Sequence, residues 1–299
     1  MPNTTTKSGY RARATHERCQ PHLWYGCPWD DINRPGGPKG VKFELDVMNF
    51  PDLTGYGSAG TAETELQYAY YFDTGGTIKQ ADTPFGGVAM FLDASGANDE
   101  NWLQFGGNAG TSFTINDPIN GAAGFTDPFD IFLDFRFKVS SVVDDVMAVF
   151  LGLADNGRAV ADTKVDTTGL MVDDDWIGFQ TVHTNGGTTG TNAVLMFSYK
   201  KASGTVQIPI ASLATLVADT EIAVGYTHRQ VNPTTRRISV WKNNVRQATG
   251  VSDANIQAAS FPDGISMSPL FGCKKGSSAA GGTFTILYAR GAMVKWGGG

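Results

Sequence analysis

Several things are scarce in this 299-residue chain, and each scarcity removes a class of protein. No apolar run approaches the roughly 20 residues needed to cross a bilayer. The longest lies near Val146 to Ala154, so membrane insertion is not expected. Cysteine is rare: Cys19, Cys27 and Cys273 are an odd set that cannot all pair within one chain. The N-terminal stretch also lacks the apolar segment of a secretory signal, so no disulfide framework is expected. Cys19 and Cys27 lie near His16 and His22, but a Cys-x7-Cys spacing misses the close pairs of structural zinc sites. Neither a metal nor another cofactor is expected. Basic charge is not in excess: 23 Lys and Arg against 29 Asp and Glu leave a formal charge of -6. A nucleic-acid partner is therefore not expected on charge grounds, because such a surface needs concentrated cations. No internal repeat of fixed period suggests a propeller or solenoid, and no helical periodicity runs for any length.

What is present is two-residue alternation. In Ile131 to Val139, Ile131, Leu133, Phe135, Phe137 and Val139 point one way and Phe132, Asp134, Arg136 and Lys138 the other, as in a sheet with one buried face. Val41 to Met48, Leu66 to Phe72, Gly86 to Leu92, Trp102 to Phe105, Asp145 to Ala154, Trp176 to His183, Ala193 to Lys200 and Thr205 to Ile210 read as further strands. Glu221 to Gln230, Arg237 to Trp241 and Thr283 to Ala289 complete the set, with Lys242-Asn-Asn244 as a hairpin turn. Ser212 to Ala218 reads as one short helix, and Gly106 to Asp127 as a long loop or two very short strands. About a dozen strands and almost no helix predict an all-β, antiparallel two-sheet sandwich. The 37 glycines suit its many turns. Residues 1–40 are polar, basic and turn-rich, and read as an extended N-terminal arm preceding a sandwich over 41–299. Arg11, Arg13, Arg18 and Arg34 give that arm charge. Trp24, Tyr25 and Trp29 give it anchors for the parent domain or for another subunit.

Three late segments sharpen the fold: Thr220-Glu-Ile-Ala-Val-Gly-Tyr226, Arg237-Ile-Ser-Val-Trp-Lys-Asn-Asn-Val245 and Phe284-Thr-Ile-Leu-Tyr-Ala-Arg290. Their succession resembles the late strands of concanavalin A-like, laminin G-like jelly rolls. The family often has Asp-Gly in the hairpin where this chain has Asn243-Asn244. The superfamily hosts lectins, glucan hydrolases, adhesion modules and virion proteins, so the fold leaves function open. The long arm, the high Gly and Thr content and the lack of an evident catalytic set together resemble capsid decoration (cement) proteins of tailed bacteriophages. That resemblance implies a non-enzymatic virion protein on the capsid surface, assembled in the host cytoplasm. It implies contact with the major capsid protein through Arg11, Arg13, Arg18, Trp24, Tyr25, Trp29 and Arg34, and a homo-oligomer, dimer or trimer.

The alternative is a glycan-binding or tail-associated host-recognition module, in which Trp102, Asn101 and Tyr226 offer stacking and hydrogen-bonding groups. Catalysis is not expected. Retaining glucan hydrolases of the superfamily carry Glu-x-Asp-x-Glu on one strand, whereas Glu44-Leu-Asp46-Val-Met48 places a thioether at the third position, and a thioether donates no proton. Asp173-Asp174-Asp175 suggests calcium, yet three consecutive acids on an extended strand do not face one ion, so a solvated turn is the competing reading. His16, His22, His183 and His228 announce no triad or metal motif.

Overall fold

The computed structural model describes residues 20–35, 37–45, 50–55, 58–61, 63–65, 68–83, 86–94, 97–105, 113–114, 129–183, 194–232, 235–277 and 280–295. The strands are β1 (Lys39–Glu44), β2 (Glu63–Glu65), β3 (Tyr68–Phe72), β4 (Thr77–Gln80), β5 (Val88–Leu92), β6 (Glu100–Phe105), β7 (Phe113–Thr114) and β8 (Phe129–Val139). They continue as β9 (Ala148–Asp155), β10 (Trp176–Gln180), β11 (Val194–Lys200), β12 (Gln207–Thr215), β13 (Ile222–Asn232), β14 (Thr235–Lys242), β15 (Val245–Arg246), β16 (Ser266–Lys274) and β17 (Gly282–Lys295). Among the described residues helix is limited to a 3-10 turn, Leu53–Gly55, and one α-helical turn, α1 (Asp253–Ile256), capped by the Ser252 side chain.

The strands form two antiparallel sheets. One runs β15-β14-β13-β8-β17-β5-β4 with β1 on β17; the other runs β12-β11-β10-β9-β16-β6-β3-β2 with β7 on β16. They pack face to face as a concanavalin A-like jelly-roll sandwich. The alternation read in β8 fixes the inner face: Ile131, Leu133, Phe135, Phe137 and Val139 join Val149, Leu151, Leu153, Ile177, Phe179 and Phe197 of the opposite sheet in one continuous core.

Two readings of the sequence need correction. Ser212–Ala218 is not helical: β12 runs on through Thr215 at the sheet edge, with Leu213 buried between exposed Ser212 and half-buried Ala214. Residues 20–38 do not form an arm outside the sandwich. Leu23, Trp24, Trp29 and Ile32 are buried against Phe132, Ala292 and Val294 on the outer face of the β8 sheet. Residues 1–19, with Arg11, Arg13, Arg18, His16 and Cys19, lie outside the described residues.

Candidate functional site

The outer faces of the two sheets decide where a ligand has access. On the β9 sheet that face is closed by the chain itself. Residues 156–175, between β9 and β10, lay Ala159 and Met171 onto Tyr71, Trp102, Phe150, Trp176 and Leu270. Polar groups of the sheet tie the loop down: Gln104 Nε2 donates to Asp155 O (2.6 Å), and Gln104 Oε1 accepts from Arg158 N–H (2.7 Å). Lys164 is carried inward, fully buried, and donates to Gly169 O, to Thr181 O (3.1 Å) and to Gln180 Oε1 (3.3 Å). Burial, reinforced by the nearby Lys274 charge, lowers its pKa to about 7. From the sheet, Lys274 reaches up to Asp166 (2.6 Å), Asp162 (3.1 Å) and Glu100 (3.5 Å). Desolvation raises Glu100 to about 7 in spite of Lys274 and the Trp102 N–H.

Sugar contact through Trp102, Asn101 and Tyr226 is contradicted by this arrangement. Trp102 is 0% exposed under the loop, its Nε1 donating to Glu100 Oε2 (2.7 Å). Asn101 is equally buried and donates to Phe91 O (2.6 Å). Tyr226 points into the core, where its ring meets Phe179 and Phe197. The sequence shows that these are aromatic or amide residues on strands, but not which face is covered.

On the β8 sheet the covering is partial. Asp134 is buried beneath residues 20–38 and accepts from Gln20 N–H, Gln20 Nε2 and Trp24 Nε1 at 2.8, 2.8 and 2.9 Å. The Arg290 guanidinium lies over both Trp24 and Trp29, 4.5 and 3.5 Å from their ring centroids. Both anchor tryptophans are thus engaged within their own chain. Tyr25 remains 75% exposed, and Arg34 pairs with nearby Asp31 at 3.8 Å.

Beyond that cover the face is open. The β4–β5 hairpin and strands β8 and β17 enclose a depression of about 260 Å³ lined by Ala81, Asp82, Thr83, Ala89, Lys138, Ser140, Asp219, Thr283 and Thr285. The register assembles it: Thr285 of β17 stands between Lys138 of β8 and Ala89 of β5, and Thr283 stands opposite Phe91. Phe91 is 40% exposed and shares the outward face with Ala89, so an aromatic ring flanks the depression. Ser140 Oγ accepts from Thr283 N–H (2.8 Å), which holds its wall. Asp219, in a left-handed conformation (φ 58°), donates its N–H to Val139 O (2.7 Å). Among the described residues, the side chains of Lys138, Asp82 and Asp219 make no ion pair or hydrogen bond with protein groups. One ammonium, two carboxylates and the hydroxyls of Ser140 and Thr283 therefore border one open concavity, while Thr83 Oγ1 donates to Gly86 O and Thr285 is largely buried in its floor. Sequence reading missed this site because its residues come from four elements with no common spacing.

The other candidates are accounted for structurally. Glu44 stands on exposed edge strand β1 opposite Arg290, while Asp46 and Met48 lie outside the described residues. His183 lies 3.6 Å from Asp145, and burial with the Lys164 charge lowers it to about 4. His228 is buried beside Arg236. Burial pushes the Cys27 thiol up to about 12, and Cys273 is a buried free thiol.

No protein-family model and no curated protein sequence matches the chain. Solved structures do share the fold. A protein of unknown function from Shewanella oneidensis MR-1 is 12% identical with a TM-score of 0.48, covering 89% of this chain and 91% of its own. Peanut lectin is 11% identical with a TM-score of 0.49, covering 87% and 100%. A Bacillus licheniformis β-glucanase is 10% identical with a TM-score of 0.46, covering 84% and 98%. Carbohydrate-recognition domains and a glucuronan lyase stand beside them. The likeness is one of fold. The expectation of a capsid decoration protein finds no support among these neighbours: those of stated function are lectins, carbohydrate-recognition domains and glycan-acting enzymes. Of the arm anchors on which that expectation relied, Trp24 and Trp29 are buried against the chain's own sheet, and Tyr25 alone is exposed.

Proposed function

We propose that the chain is a non-catalytic glycan-binding module whose site is the open depression on the outer face of the β8 sheet. The observation that carries this reading is the convergence of unpaired Lys138, Asp82 and Asp219 with the hydroxyls of Ser140 and Thr283 beside the exposed ring of Phe91. A sugar ring has an apolar face for an aromatic side chain and a rim of hydroxyls that both donate and accept. The lining supplies a cationic donor, anionic acceptors and hydroxyls that do either. The volume falls just short of the roughly 300 Å³ at which sites for drug-sized ligands begin, a size suited to one ring with its neighbours in solvent.

The test is a glycan array probed with the full chain, followed by calorimetric titration of the best ligand. Saturable binding is expected. Lys138→Ala is expected to weaken it at least tenfold, since a hydrogen bond to a charged group contributes about 1.5–3 kcal/mol. Phe91→Ala is expected to weaken it by a smaller factor. A null array at millimolar ligand, or affinity indifferent to both substitutions, overturns the proposal.

A further inference from the structure

The end of β9 and the approach to β10 bring three carboxylates to one point. Asp155 closes β9, Asp174 and Asp175 precede Trp176, and Asp155 N–H donates to Asp175 O (3.0 Å), which locks the two segments together. One oxygen from each of the three lies within 4.8 Å of the others. Asp173 turns outward instead, to Lys200 (3.0 Å) and the Ser203 N–H (2.7 Å). Three consecutive acids cannot share one focus, and the chain meets that limit by drawing its third carboxylate from a different strand.

Charge within this group does not balance. Arg158 pairs with Asp174, whereas Lys200 is held by Asp173 and Lys201 by Asp263 (2.7 Å). Three carboxylates therefore face one guanidinium. Asp175 is 5% exposed; it accepts the Ala202 N–H, yet its Oδ1 is buried without a hydrogen-bond partner. An anionic oxygen withdrawn from water with nothing to bind is costly unless a cation meets it.

We infer that Asp155, Asp174 and Asp175 form a site for a hard divalent cation of calcium's size. Calcium holds oxygens at 2.3–2.6 Å, so ligands on opposite sides of it stand about 4.6–5.2 Å apart, which the observed spacing admits. Water and nearby carbonyls would complete the six to eight oxygens. The half-buried Asp155 leaves the group a way to solvent.

The experiment uses the intact chain with terbium as the probe and calcium as competitor, because Trp176 directly follows Asp175 and can sensitise terbium emission. Saturable emission displaced by calcium is expected, with affinity reduced at least tenfold in Asp155→Asn and in Asp175→Asn. Melting in calcium and in EDTA separates ligand loss from misfolding. Calcium should raise the wild-type melting temperature, and Asp155→Asn should erase that rise while melting no lower than wild type in EDTA. No saturable emission below millimolar terbium, or emission unchanged in both variants, overturns the inference.

Discussion

Lys274 Nζ lies 3.5 Å from Glu100 Oε1 with both side chains withdrawn from water, and the same ammonium reaches Asp162 and Asp166 in the loop over the β9 sheet. This cation is one of the ties between sheet and loop. Lys274→Met should therefore leave Glu100 as an uncompensated buried acid and cost about 3–5 kcal/mol. Urea denaturation at pH 7 measures it, and a loss below 1 kcal/mol would show that the network contributes little.

Glu100 also predicts a slope with pH. Its folded pKa, about 7, stands above the ordinary 4.5, so the folded state prefers the protonated acid. Stability from this group is complete below pH 4.5 and is lost as pH rises to 7. The displacement corresponds to about 3 kcal/mol at ~1.4 kcal/mol per pH unit. Glu100→Gln abolishes the titration while keeping an acceptor for one of the two N–H groups, those of Trp102 and Asp162, that the two carboxylate oxygens bind. The difference between wild-type and variant stability should thus move in the variant's favour across pH 4.5–7, and a flat difference would refute the assignment.

His183 pulls the other way in the same window. Its folded pKa, about 4, lies below the ordinary 6.5, so the unfolded chain takes up the proton first. Stability from the neutral ring is present above pH 6.5 and is lost as pH falls to about 4. An NMR titration of the folded protein should find the His183 ring neutral at pH 5.5. A midpoint near 6.5 would mean that the ring has access to water.

The alternation of β8 was legible because one face is apolar over five consecutive turns of the pleat. The central strand β16 was not, because Pro269 and Gly272 look like interruptions. The structure shows why both are tolerated. Pro269 falls between the stretch of β16 paired to β7 and the stretch paired to β6, where one edge lacks a ladder. Gly272 faces Trp102, whose ring occupies the space a Cβ would need. Trp102 itself read as a sugar platform because composition does not report a cover contributed by residues 156–175. The open depression was illegible for the reverse reason: Lys138, Thr285, Asp82 and Asp219 become neighbours only through the sheet register.

Gly272→Ala follows from that packing. The added methyl would meet the indole of Trp102 and the Asn101 carbonyl, so either the ring or strand β6 must move. A loss of about 1–3 kcal/mol is expected, as for other overpacked cores, together with a change in near-ultraviolet circular dichroism as the indole shifts. An unchanged melting curve would mean that Trp102 has freedom its burial does not suggest.

The segment covering Asp134 allows the sharpest test of whether residues 20–38 belong to the sandwich. Trp24 donates one of the three hydrogen bonds that hold the fully buried Asp134 carboxylate, and its ring stacks on Phe132 with centroids 5.9 Å apart. Trp24→Phe keeps much of the stacking and removes only the donor, so Asp134 Oδ2 is left with the Gln20 N–H alone. Weakening the satisfaction of a buried anion costs about 1–3 kcal/mol. Burial already raises the pKa of Asp134, with Gln20 and Trp24 opposing the rise. Losing one of those donors should raise it further and make the variant's deficit smaller in acid than at pH 8. An independent arm predicts no deficit at either pH, so paired denaturation curves at pH 5 and pH 8 decide between the two.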